Sequence, residues 1–220
     1  LLFVGAMAGS FERMWDTPIY PVTYAVIQVL DQFAIFYFVI LVMYAGELVW
    51  RERSLRCDPL VDAAPVSSAL ILASKITALI LVTALLLVLL IGFGVAFQAA
   101  HGYFEFELGV YVGVLFGLTL PLFAVYIDLA FFFQIVSNNK YVGVTLMVLY
   151  HVLYLASAQW GHEHRLLRLP DPPPVVYSAM NGFGPNLGPH LWLTAYYTAF
   201  AALLLALARL LVVRGAPDGL

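Results

Sequence analysis

Long apolar runs alternate with short polar breaks along the whole chain. Runs near twenty residues match the thickness of a bilayer core, and they divide the chain into spans. Residues 1–9 read as the end of a first span, and 10–21 as a polar turn with Trp15. A second span covers 22–50, long enough to tilt or to project from the bilayer. The polar segment 51–65 follows. A third span covers 75–99, and 100–107 is an acidic, aromatic loop. A fourth span covers 108–136, with a kink expected at Pro121. Residues 137–141 are a tight turn, and a fifth span covers 142–158. The longest loop, 159–190, carries Pro172, Pro173 and Pro174, and a sixth span covers 191–213. The pattern predicts an all-α polytopic membrane domain of six helices, the first truncated. The opening LLFVGAMAG lacks a basic region before its apolar run, so it reads as the tail of a helix that begins upstream.

Composition supports the membrane reading. The chain is 63% hydrophobic and 10% charged, with mean hydropathy +0.94, whereas a soluble domain is about a quarter charged. The partner expected first is therefore the lipid bilayer. No basic patch exists, and nucleic acid is not an expected partner. Cys57 is the single cysteine and cannot form an internal disulfide. Orientation follows from Lys and Arg. Arg51, Arg53, Arg56, Lys75, Lys140, Arg209 and Arg214 fall on one side, and Arg13, Arg165 and Arg168 on the other. The first set is expected in the cytosol, with segment 51–65 and the C-terminus. Loop 159–190 then lies outside, and Trp15, Tyr20, Tyr103, Trp160 and Trp192 form an aromatic belt at the outer boundary.

Segment 51–65 is the candidate functional element. Glu47 stands four residues before Arg51, in the favoured order for a helical ion pair. Leu55, Leu60 and Val61 make one apolar face of a short helix, and Arg56, Asp58 and Asp62 stay wet. Pro59 breaks or starts that helix. Pro65 starts the next, with Ser67 and Ser68 in its first turn. Two readings remain open on spacing alone. One is a surface against which a soluble partner pushes; the other is a stop-transfer flank or interfacial anchor.

The string G-E-x-x-W-R-E-R-x-x-R-x-D-x-L-V-D-A-x-P-V-S from Gly46 to Ser67, with Lys75 in the next span, resembles permeases of the type-2 ABC exporter family. The stretch Tyr177-Ser-Ala-Met-Asn-Gly-Phe-Gly184 and the ending A-R-L-L-V-V-R-G are similar to a subgroup. In it, permease halves are fused to a thermolysin-like zinc aminopeptidase of the gluzincin kind. The resemblance covers nearly the whole chain. It implies one six-helix permease domain over 1–215, with 51–65 as a cytosolic coupling helix, and 216–220 as a tail leading to a downstream region. It implies a cytosolic ABC ATPase as partner, a second permease half in the same chain or in a homologous subunit, and a location in the bacterial inner membrane. Glu47, Arg51, Glu52, Arg53, Arg56, Leu60 and Asp62 would carry the ATPase's motion into the spans. ATP would bind the partner, and zinc would belong to a peptidase domain elsewhere; no cofactor is expected in this stretch.

Two motif searches agree with that division of labour. No G-x-x-x-x-G-K-S/T phosphate loop is present. His162-Glu163-His164 lacks the four-residue histidine spacing of H-E-x-x-H, so no catalytic or metal residue is expected here. Asp31, Gln32 and Asp128 lie inside apolar runs. Such groups are costly in lipid and are read either as the lining of a translocation path or as interhelical hydrogen bonds; Gln134 and His151 are read as the latter. Gly109, Gly113 and Gly117 share one face and predict a close helix approach. Two alternatives to a driven exporter remain. In one the domain anchors an associated periplasmic zinc aminopeptidase without transporting. In the other the protein is a membrane-bound metallopeptidase with its catalytic part outside this stretch.

Overall fold

In the computed structural model, residues 20–57, 59, 63, 65–137, 139–157, 164–166 and 168–211 are described. The first span over 1–9, Trp15, Trp160, the His162-Glu163 pair, Arg214 and the tail 216–220 lie outside them. So do Asp58, Leu60, Val61 and Asp62 of the polar segment.

The described residues are all helical, apart from turns and loops. Helix α1 is Thr23–Asp31 and α2 is Ala34–Ser54. A turn at Gln32 and Phe33 divides them, where 22–50 was expected to be one helix. Here the main chain bonds three residues back: Gln32 N–H to Val29 O at 3.3 Å and Phe33 N–H to Leu30 O at 3.1 Å. Tight bonding of this kind satisfies the carbonyls of a helix end. Asp31 and Gln32, both exposed, sit at the break. Two short helices replace one that would have outrun the bilayer. Helix α1 buries Thr23, Val26, Ile27 and Leu30 along one stripe.

Helix α3, Ser68–Ala100, begins seven residues before the expected third span at 75. Ser67 caps it, its Oγ accepting the Leu70 N–H at 3.3 Å. Its 33 residues span about 50 Å, well beyond a hydrocarbon core of about 30 Å. Buried Leu79, Thr83, Leu87, Leu90, Gly94 and Phe97 make one narrow stripe on a helix that is otherwise apolar and exposed. That is the pattern of a span with one side on protein and the rest against lipid.

Helix α4, Leu108–Ser137, is the centre. Its second half packs against α2, α3, α5 (Lys140–Ser157) and α6 (Leu187–Leu211). Accordingly Val125, Ile127, Leu129, Ala130, Phe131 and Gln134 are buried. The irregularity expected at Pro121 takes the form of a π-helical stretch, Gly113–Thr119, just before it. Proline lacks the N–H that would bond one turn back. The wider turn accommodates this, and the Thr119 hydroxyl donates to the Val114 carbonyl five residues back at 3.1 Å. Asn139 opens α5, its Oδ1 accepting the Tyr141 N–H at 2.9 Å.

The glycine face of α4 does not make the close helix approach predicted for it. No described atom lies within 4 Å of a Cβ built at Gly109 or Gly117, and Gly113 meets the ring of Phe183, a loop residue, at 2.9 Å. Close approaches occur instead at Gly46, Gly94 and Gly143.

The connection into α6 folds back on the helix ends. Ser178 and Gly182 close a tight turn through two main-chain bonds of 2.8 and 2.7 Å, and Gly182 takes φ 57°, open to glycine at no steric cost. Tyr150 donates to the Leu169 carbonyl at 2.5 Å and Tyr197 to the Arg165 carbonyl at 2.7 Å. Arg168 pairs with Asp171 at 3.0 Å and lies over the Tyr154 ring.

Candidate coupling site

Helix α2 runs unbroken through Glu47, Arg51, Glu52 and Arg53, so all four ride on one rigid element. Its end is a Schellman motif. Arg56 N–H bonds the Arg53 carbonyl at 3.1 Å, and Cys57 N–H bonds the Glu52 carbonyl at 2.9 Å. Arg56 takes the left-handed position with φ 55°, where glycine is usual. A residue with a Cβ is disfavoured there by about 1–2 kcal/mol. Beyond it, Ala63 N–H bonds the Pro59 carbonyl at 3.1 Å, a helical spacing that starts at the proline. Leu60 and Asp62 fall between these two, outside the described residues.

The acidic residues of α2 bind other helices. Glu47 forms an ion pair with Lys140, the first residue of α5, and not with Arg51 as its spacing predicted. Glu52 forms an ion pair of 2.5 Å with Lys75 on α3, and the two side chains are 29% and 17% exposed. The Arg53 guanidinium lies 4.9 Å from the centre of the Trp50 ring. Arg51 and Arg56 are exposed.

Beneath these pairs is an amide node. Trp50 Nε1 donates to Gln134 Oε1 at 2.9 Å. Gln134, on α4, is 1% exposed. It fits between two glycines: a Cβ at Gly46 would stand 3.0 Å from Gln134 Nε2, and one at Gly143 would stand 2.5 Å from Oε1. One α2 segment, 46–53, thus ties α3, α4 and α5 at the end from which the polar segment leaves. Lys75 and Lys140, both assigned to the cytosolic set by charge, meet the same stretch of α2. Gln134 acts as interhelical glue, as read from the sequence. Gly46 and Gly143 were not singled out there, although an isolated glycine in a helical run signals close backbone approach.

The residues read as a path lie on different elements, Asp31 and Gln32 at the end of α1 and Asp128 on α4. Tyr37 of α2 stacks on Phe123 of α4 with ring centres 5.4 Å apart. Asp31 lies before Tyr37 on the chain and Asp128 after Phe123. Asp31 also lies across the turn at Gln32 and Phe33 from α2. Asp31 and Gln32 are exposed, and Asp128 is half-buried. His151 stacks on Phe38 at 4.1 Å, with Tyr126 and Tyr154 around it.

A second amide node at the other end of the bundle was missed in the sequence. Gln98 of α3 donates from Nε2 to the Pro21 carbonyl at 2.8 Å and to Thr23 Oγ1 at 3.3 Å. Its Oε1 accepts the Tyr111 hydroxyl at 3.0 Å. A Cβ at Gly94 would stand 2.7 Å from that hydroxyl. Among the described residues no three His, Cys, Asp or Glu gather as a metal site.

Five helices, α2 to α6, are long and apolar enough to cross a membrane. The chain is a helical multi-pass membrane protein. No family model, no curated protein and no solved structure matches it.

Proposed function

We propose that this chain is the transmembrane part of an ATP-driven exporter of the type-2 ABC kind, with a six-helix permease domain in the bacterial inner membrane. In this reading segment 51–65 and the C-terminus are cytosolic, and a separate ATPase docks on the segment. The observation that carries the proposal is the junction at the end of α2. The pairs Glu52–Lys75 and Glu47–Lys140 attach α2 to α3 and α5 beside the polar segment. The Trp50–Gln134 bond attaches it to the central helix. A push on the segment therefore reaches four spans at once. Arg51 and Arg56 supply exposed cations for the ATPase surface, and a second permease half completes the path. An aminopeptidase domain elsewhere in such a protein would act on its own substrate.

The test co-reconstitutes the protein with its ATPase partner in vesicles and compares export with ATP hydrolysis. Reversing Arg53→Glu and Arg56→Glu together abolishes ATP-driven export while hydrolysis continues and the protein remains inserted. Export that stays coupled to hydrolysis in this variant contradicts the proposal.

A further inference from the structure

Helices α5 and α6 each pack along α4 but make no extended contact with one another. The connection that precedes α6 bridges them instead, and four tyrosine hydroxyls reach it from both sides. From α5, Tyr150 donates to the Leu169 carbonyl at 2.5 Å and Tyr154 to Asp171 Oδ1 at 3.3 Å. From α6, Tyr197 donates to the Arg165 carbonyl at 2.7 Å and Tyr196 to the Leu166 carbonyl at 3.4 Å. Tyr150 and Tyr154 stand one turn apart, on one face of α5. Arg168 pairs with Asp171 and covers the Tyr154 ring, so the bridge is also tied to itself. His190 of α6 donates from Nδ1 to the Pro173 carbonyl at 2.9 Å.

Two observations make this bridge more than a surface loop. Leu169 and Pro170 are buried, and a carbonyl freed there loses its partner away from bulk water. Next to it, an apolar cavity of about 290 Å³ separates Leu129 and Phe133 of α4, Tyr150 of α5 and Leu204 of α6, with Leu166 and Leu169 also lining it. Across that space the helices share few of the dispersion contacts that close packing gives. Side-chain packing therefore joins α5 to α6 weakly here, and the hydroxyl bonds to the connection carry the tie.

We propose that the connection is a clasp that sets the separation of α5 from α6 and decides whether the two helices move together. Closed, the four tyrosines hold both helices on one stretch of chain. Opened, the clasp lets α6 shift along α4 while α5 stays with α2, on which it packs and to which it is paired through Lys140 and Glu47. Hydroxyl–carbonyl bonds suit such a part, because each is modest in net strength. The clasp follows from the fold alone and stands whether or not the protein exports anything.

The experiment measures distances between nitroxide labels by pulsed electron paramagnetic resonance in lipid nanodiscs, on a Cys57→Ser background that removes the one native cysteine. Leu153→Cys on α5 with Leu203→Cys on α6 reports the clasped pair. Val39→Cys on α2 with Leu153→Cys reports a directly packed pair, and all three side chains are exposed. With the tyrosines intact, each pair should give one narrow distribution. Tyr150→Phe with Tyr197→Phe should broaden the α5–α6 distribution and shift it to longer distance, and leave the α2–α5 distribution as it was. Tyr154→Phe, which removes the single bond to Asp171, should act in the same direction to a smaller extent, and serves even where the double variant fails to fold. An α5–α6 distribution unchanged in these variants overturns the clasp. Broadening of both label pairs overturns it too, because the tyrosines would then hold the bundle in general.

Discussion

The two ends of the bundle use the same device with different surroundings. At each, a buried glutamine amide stands beside a glycine and accepts a bond from an aromatic residue: Trp50 to Gln134 at 2.9 Å, Tyr111 to Gln98 at 3.0 Å. Around Gln98 the remaining partners are neutral, the Pro21 carbonyl and the Thr23 hydroxyl, and join α1 to α3. Around Gln134 the neighbours are charged, with Glu47–Lys140 and Glu52–Lys75 forming a rim that reaches solvent. A neutral buried node is costly to open, because it leaves buried polar groups short of partners. A rim of part-exposed ion pairs can exchange partners at small cost. The Gln98 end is thus a closed neutral node, and the Gln134 end a node rimmed by part-exposed ion pairs, which is where the proposed function would pass motion between helices.

The largest expected effect comes from filling a glycine notch. Gly143→Leu drives a side chain into Gln134 and Ser137, both already within 3 Å of a Cβ. It should destabilise by about 2–3 kcal/mol, read as a drop in melting temperature in detergent. An unchanged melting temperature would show that α5 moves away freely and that the notch does not hold it.

Next in size is the contrast between the two amides. Gln98→Leu leaves the Tyr111 hydroxyl and the Pro21 carbonyl without their glutamine partner, while Thr23 Oγ1 keeps the Glu107 N–H at 3.4 Å, and should cost about 2 kcal/mol. Gln134→Leu removes one bond from an indole near the bundle end, and should cost about 1 kcal/mol or less. Denaturant titration of both variants checks the order. Equal losses would erase the distinction drawn between the ends.

The smallest effect has the opposite sign. Arg56→Gly relieves a left-handed backbone position and should stabilise by up to about 1 kcal/mol. The same variant removes an exposed cation from the proposed ATPase contact. A stabilised protein with weaker ATPase binding would separate the two roles of this residue, and a destabilised one would show that the Arg56 side chain contributes to the fold.

The chain's layers were legible to different depths. The start of α3 was legible to within a turn: Pro65 was expected to begin a helix with Ser67 and Ser68 in its first turn, and Ser67 instead caps it, with Ser68 as its first residue. The membrane-spanning runs were legible because a bilayer demands length and apolarity and little else. The break at Gln32–Phe33 was marked by Asp31 and Gln32, but two polar residues inside a long apolar run read equally as groups buried within one span. Both α1 and α2 pack on α3; α1 also meets the start of α4, and α2 its second half and α5. The pairing of Glu47 was misread for a related reason. Arg51 is near in sequence, but Lys140 is brought near only by α5 packing beside α2. The glycines of α4 were expected at a helix contact, yet the one with a close neighbour, Gly113, receives Phe183 from a loop whose path no periodicity describes. Gly46 and Gly143 do their work in relation to Gln134, 88 and nine residues away on other helices, and single positions do not advertise such a relation.

In the proposed function motion passes from the polar segment into the bundle through the pairs at the end of α2, so a charge exchange across Glu52–Lys75 should first break and then restore it. ATP-driven export by the protein with its proposed ATPase is measured in vesicles for Glu52→Lys, Lys75→Glu and the double variant. Each single reversal places like charges together at the junction and should lower export by about tenfold. The double variant, which restores opposite charges, should recover most of it. Single variants that export normally, or a double variant that stays as impaired as the singles, would contradict the account.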